Sequence, residues 1–127
     1  MSRHGDTSKV LAGGTDLVIQ LRRRRIAAEH IVDISGLRDL RGIRETADHV
    51  IIGALTLHKM IETSEVLNRR IPMLVEAAKL VGGHQVRNAG TAGGNIVNAS
   101  PAADLVVPLL ASHARLVLVE PAGRREI

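Results

Sequence analysis

Two short segments carry most of the chemical potential of this chain. They are "AGGTD" (Ala12–Asp16) and "GTAGGN" (Gly90–Asn95). Both are poor in side-chain bulk and dense in backbone N–H groups. Successive amides in a glycine turn can aim at one anion. Where a helix comes next, its first unsatisfied amides and positive dipole end add to that pull. The first segment leads into such a helix, with Thr15 read as its N-cap and Asp16 in its first turn. Two such loops could grip the two phosphates of a pyrophosphate from opposite sides. Each loop, taken alone, reads first as a plain turn.

No short fingerprint settles the matter. There is no G-x-x-x-x-G-K-[ST] phosphate loop and no G-x-G-x-x-G after a strand. Asp104 follows "NASPAA" in what reads as the first turn of a helix. It either pairs with the helix dipole or accepts from a ribose hydroxyl. His84, Gln85, Arg87 and Asn88 form a polar cluster just before the second loop. His84 has no carboxylate at triad-like spacing, so a loop hydrogen bond is the favoured reading. The 6 histidines show no metal-binding spacing, and no Ser lies in a G-x-S-x-G elbow.

Composition narrows the classes further. The 127 residues suffice for one domain or two small lobes. There is no Phe, Trp or Tyr, so any core is aliphatic and lacks the area that aromatic rings bury. There is no Cys, which excludes disulfides and thiolate metal sites. The compartment stays open, with cytoplasm the default expectation. No apolar run is long enough to span a membrane, and the polar start "MSRHGDTSK" has no secretory signal. Lys and Arg number 17 against 13 Asp and Glu, a net charge of +4, with "RRRR" at Arg22–Arg25 as the main cluster. That cluster reads as a solvated helix end rather than a nucleic-acid patch. No aromatic platform for stacking bases accompanies it.

The elements that must position the two loops can be read from periodicity and punctuation. Val10–Ala12 reads as a strand, Gly13–Gly14 as a turn, and Leu17, Val18 and Leu21 as a helix stripe. "HIVDIS" (His30–Ser35) and "HVIIGALT" (His49–Thr56) read as strands, with loop and one short strand between them over Asp39–Thr46. Thr56 is expected to cap a helix running to about Asn68. Pro72 starts another helix, Pro72–Val81, that stops at Gly82–Gly83. A glycine-rich loop flanked by extended pieces then covers "HQVRNAGTAGGNIVN". Ser100 and Pro101 begin a helix to about Ser112, which Pro108 shortens or kinks. Ala114–Glu120 reads as a strand, and "RREI" as the start of another. The mixed order predicts an α+β or α/β unit in two lobes.

The segments "LAGGTDLV" (Leu11–Val18) and "VRNAGTAGGNIVNASPAADLVVPLLA" (Val86–Ala111) resemble the FAD-binding domain of the molybdenum hydroxylases. That family includes carbon monoxide and xanthine dehydrogenases. The resemblance runs from about Lys9 to Ile127, and "HIVDIS", "IIGALT" and "ARLVLVE" fall in the family's order. It implies an α+β, two-lobed PCMH-type (vanillyl-alcohol-oxidase-like) fold, incomplete here, with lobes of about 1–56 and 57–127. FAD would lie between the lobes. Carried over, Ala12, Gly13, Gly14, Thr15 and Asp16 form the first FAD loop, Thr91, Ala92, Gly93, Gly94 and Asn95 the second, and Asp104 a further contact. No residue of the chain is assigned a catalytic or metal-ligating role. The resemblance implies an oxidoreductase subunit whose flavin takes electrons from 2Fe–2S clusters of a small partner subunit. It passes them to NAD⁺, oxygen or a quinone, while substrate is oxidised on a molybdenum-cofactor large subunit. It also implies that the chain is truncated at both ends. The other readings are a non-catalytic basic module docking on a partner or RNA, or a truncated product without activity. A third reading, a close relative that shares the wider fold, is the flavin domain of the cell-wall enolpyruvyl reductase; it requires NADPH activity and a catalytic serine and glutamate for which no segment here stands out.

Overall fold

The computed structural model describes residues 7–127; the polar start over residues 1–6 lies outside the described residues. Strand β1 (Ser8–Leu11) pairs in parallel with β2 (His30–Asp33), Ser8 opposite His30 and Leu11 opposite Asp33. Helix α1 (Leu17–Arg22) forms the crossover between them. Asp33 ends β2 by accepting the Ser35 amide at 2.8 Å, an Asx turn. A 3-10 turn (Arg38–Leu40) leads into the antiparallel hairpin β3 (Ile43–Glu45) and β4 (Val50–Ile52). Five short helices come next, α2 (His58–Glu62), α3 (Glu65–Arg70), α4 (Pro72–Leu80), α5 (His84–Arg87) and α6 (Ala92–Val97), and then α7 (Val106–Ala111). The last pair is the antiparallel hairpin β5 (Val117–Glu120) and β6 (Gly123–Glu126). The content is α+β.

The core is aliphatic. Ile61, Leu67, Leu74, Val75, Ala78, Ala92 and Leu105 form one buried cluster, and Ile43, Val50 and Ile52 of the β3–β4 hairpin pack against it. The helices α2, α3 and α4 therefore anchor the later elements of the chain. Arg87 ties α5 to this frame. Its Nε donates to Glu62 at 3.0 Å, and its Nη1 donates to the carbonyls of Lys79, Val81 and Gly82. It thereby caps the end of α4. Lys59, which donates to Glu62 at 3.1 Å, and Arg87 together hold the Glu62 carboxyl below its ordinary range.

Several sequence expectations give way to local competition. The helix expected from Thr56 to Asn68 is two helices, because Ser64 caps a new one by accepting the Leu67 amide at 3.2 Å. Thr63 bonds back to the Lys59 carbonyl at the break. Thr56 caps nothing, because its hydroxyl is fully engaged with the Gly42 amide and carbonyl. Asp16, not Thr15, occupies the N-cap of α1, with no side-chain cap bond. The strand expected over His49–Thr56 shrinks to Val50–Ile52, since Gly53–Thr56 turns into the helices. The helix expected from Pro101 starts only at Val106, because Ser100 holds the Ala102 amide in a turn. Pro108 is the third residue of α7, where its missing N–H has no helical partner to lose. The largest difference concerns "HQVRNAGTAGGNIVN": it is not a slack loop but two short helices, and Gly93–Gly94 lies inside the second.

The arginine cluster closes α1. The Arg24 amide donates to Leu21 and the Arg25 amide to Gln20, the paired bonds of a Schellman motif. Arg24 takes the left-handed position at φ 53°, where glycine is usual. Arg22–Arg25 are all exposed, in keeping with a solvated helix end.

Candidate functional site

The two glycine segments meet. A Cβ at Gly13 would run into the Ala89 carbonyl oxygen and sit 2.9 Å from the Gly90 Cα. Only glycine at position 13 allows this approach. The contact places both loops on one open cleft of about 520 Å³, a size within the usual range for small-molecule sites. Ala12, Gly13, Gly14, Thr15 and Asp16 of the first segment border it together with Thr91, Gly94 and Asn95 of the second, and Asp104. Ala92 and Gly93 do not border it.

The loops differ in what they offer. Among the described residues, no hydrogen bond engages the amides of Gly13, Gly14, Thr15, Asp16 or Leu17. This segment continues from the strand that ends at Leu11, and Gly14 takes φ 72°. The backbone thereby presents unused donors beside the cleft. The second segment has used its donors. The Ala92 amide donates to Thr56 O at 2.9 Å, the Gly93 amide to Ala54 O at 2.8 Å, and the Gly94 amide to Thr91 Oγ1 at 3.1 Å. The Asn95 amide donates to Thr91 O within the helix. A Cβ at Gly93 would sit 2.8 Å from the Ala54 oxygen. Its missing side chain therefore admits the turn at residues 53–55, not a ligand. The expectation that both loops form amide nests fails at the second one for this reason.

What the second segment offers is side chains. Asn95 Oδ1 accepts the Leu105 amide at 3.4 Å, which orients its amide group with Nδ2 unused among the described residues. Asp16 and Asp104 are both exposed and both border the cleft. His84, by contrast, stands away from the cleft, and its carbonyl accepts the Asn88 side chain.

One cleft residue escaped the sequence reading. His58, the first residue of α2, is 3 % exposed and borders the cleft. Its amide donates to Gly90 O at 3.1 Å, and its Nδ1 is buried without a partner. Burial pushes its pKa below the ordinary value, against the attraction of Asp104 and Asp16. The only sequence signal was a lone histidine in the apolar run "GALTLHKMI".

The donor set suits a phosphate-bearing nucleotide. The cleft lining includes residues with unused amides, hydroxyl and carboxamide groups, and His58, whose Nδ1 is buried without a partner. Among the described residues no cluster of His, Cys, Asp or Glu could hold a metal ion, and no helix is long and apolar enough to cross a membrane.

The chain belongs to the family described as the FAD binding domain in molybdopterin dehydrogenase, whose model matches residues 1–127. It is 42 % identical over 123 residues to the carbon monoxide dehydrogenase medium chain of Hydrogenophaga pseudoflava, covering 97 % of this chain and 43 % of that one. It is 40 % identical over 119 residues to a xanthine dehydrogenase FAD-binding subunit of Escherichia coli O157:H7, covering 93 % and 41 %. The solved carbon monoxide dehydrogenase of H. pseudoflava superposes with a TM-score of 0.96 at 40 % identity, over 99 % of this chain and 44 % of that one. Quinoline 2-oxidoreductase of Pseudomonas putida 86 superposes at 0.87 with 27 % identity, over 95 % and 42 %. The chain thus spans less than half the length of these relatives. The family is one of oxidoreductases, and its cofactor is FAD.

Proposed function

We infer that this chain binds FAD in the cleft between its two glycine segments. It would serve there as part of the electron-transfer module of a molybdenum hydroxylase. The observation that carries this reading is the row of unused amides at Gly13–Leu17, in residues that line the same cleft as Thr91 and Asn95. These amides would hold the diphosphate. The Thr91 hydroxyl and the Asn95 carboxamide would donate to neighbouring phosphate oxygens, and the Asp104 carboxylate would accept from a ribose hydroxyl. The isoalloxazine of bound FAD supplies one- and two-electron chemistry. The protein's task is to seat it at a fixed distance from its partners.

The names of the relatives support a multi-subunit setting. The partners in this reading are a molybdenum-cofactor large subunit and a small subunit with 2Fe–2S clusters, the latter delivering electrons. Without cysteine, this chain cannot ligate such clusters through thiolates. NAD⁺, oxygen or a quinone would be the acceptor. The test is direct: titrate the purified chain into FAD and record flavin fluorescence and the visible spectrum. Saturable quenching and a shifted spectrum are expected. An unchanged flavin signal at high protein concentration contradicts the reading.

A further inference from the structure

Helix α1 runs into four consecutive arginines, Arg22–Arg25, all of them exposed. None of their guanidinium groups has a hydrogen bond or an ion pair among the described residues. Beyond Leu57 the pattern is the opposite: every Lys and Arg except Arg124 pairs with a glutamate. Closing the helix does not account for these charges. The carbonyls of Ile19, Gln20 and Leu21 are taken by the amides of Arg23, Arg25 and Arg24, not by side chains. Arg24 sits at φ 53°, in the left-handed position that glycine fills without strain. A side chain held at such a place points to a use for that side chain. Four adjacent cations also repel one another, and no carboxylate of the chain pairs with them. The cluster is therefore complementary to an anionic surface outside the chain.

We propose that Arg22–Arg25 are a docking surface for an acidic protein, a partner that presents clustered Asp and Glu carboxylates. Guanidinium groups stay charged at every physiological pH and meet carboxylates through paired N–H donors. Val18 and Ile19, about one turn earlier on α1, are also exposed. Arginine is enriched at protein interfaces, and an apolar strip beside it adds area that a folded partner can cover. RNA fits less well, because the chain has no aromatic side chain on which a base could stack. A second copy of the chain fits less well again, because each copy carries a net charge of +4 and the two repel. Gln20 and Ile26, before and after the cluster in sequence, both border the cleft. A protein docked on the arginines thus sits beside the cleft. The inference does not depend on which nucleotide the cleft holds.

The experiment reads the fluorescence anisotropy of a labelled decaglutamate peptide titrated with the 127-residue chain in about 50 mM salt, with labelled decauridylate as the RNA probe. Two variants remove equal charge. One combines Arg22→Gln, Arg23→Gln and Arg25→Gln. The other combines Arg38→Gln, Arg41→Gln and Arg44→Gln, at arginines that are also exposed and unpaired among the described residues. We expect the wild type to bind the peptide saturably and to release it as salt rises to about 200 mM. The first variant should bind at least about tenfold more weakly, and the second at most about threefold more weakly. Arg24→Gly separates docking from folding. Glycine suits φ 53°, so this variant should unfold at a higher temperature and still bind the peptide about two- to threefold more weakly. Equal losses in the two triple variants would reveal an effect of net charge alone and overturn the proposal. Absence of peptide binding by the wild type does the same. Decauridylate that binds more tightly than the peptide, and is lost in the first variant, overturns the protein partner in favour of RNA. Should the first variant fail to fold, Arg24→Gly decides: an unchanged peptide affinity there overturns the proposal. None of these readouts involves FAD, so they fail or succeed apart from the cofactor assignment.

Discussion

The two glycine segments look alike in sequence and behave differently in the fold. At Ala12–Asp16 the glycines free the backbone to face the cleft, and the amides from Gly13 to Leu17 have no partner among the described residues. At Gly90–Asn95 the glycines let protein pack on protein. Gly90 makes room for the His58 ring, and Gly93 makes room for Ala54. The amides of this second segment are consumed by the carbonyls of residues 54 and 56 and by the Thr91 hydroxyl. One glycine loop is therefore a donor surface, and the other is a joint. The cleft exists because Gly13 brings the two into contact.

This contrast predicts a graded set of mutational effects. Gly93→Ala should destabilise the fold the most. Its Cβ would meet the Ala54 oxygen at 2.8 Å and the Ala54 Cβ at 2.9 Å, and overpacking of this kind costs about 1–3 kcal/mol. Urea unfolding should show the loss before any ligand is added. A variant of wild-type stability would mean that position 93 faces the cleft after all. Thr91→Ala should cost about 1 kcal/mol by removing the N-cap of α6, again with no ligand present.

Acidification tests the base of the joint. His58 holds its pKa below the ordinary value of 6.5 because it is buried. The unfolded chain therefore binds a proton that the folded chain refuses. Stability contributed by the neutral ring is present above about pH 6.5 and is lost as pH falls below it. Unfolding midpoints measured at about pH 7.5 and about pH 5.5 should differ more for the wild type than for His58→Gln. Asp16→Asn, in the donor segment, should change stability by less than about 0.5 kcal/mol, because its carboxylate makes no cap bond. A large destabilisation there would show that the first loop, too, is a structural joint.

Much of this was legible in the residues. The strand–turn–helix at Val10–Arg22, the helix from Pro72 and the final hairpin can be read from periodicity, Pro72 and the glycine turns. The cleft-lining position of Thr15, Asp16, Asn95 and Asp104 could be reached through the two loops. The helix at Ala92–Val97 was not legible. Two glycines in six residues argue against a helix on propensity, and tertiary contacts with Ala54 and Thr56 overrule that. Thr56 was misread as a cap because nothing local shows that Gly42 engages its hydroxyl. His58 escaped because its significance depends on the burial of one ring nitrogen. Composition can show that a loop is rich in amides. It cannot show which amides are already bonded.

The most direct test of this asymmetry is amide-resolved hydrogen exchange and NMR on the chain with and without FAD. Without ligand, the amides of Ala92–Asn95 should already be protected while those of Gly13–Leu17 exchange freely. On adding FAD, the Gly13–Leu17 amides should shift downfield and gain protection, with little change at Ala92–Asn95. Protection and shifts that develop at Ala92–Asn95 while Gly13–Leu17 stay unchanged would contradict the assignment of the first loop as the diphosphate-binding surface.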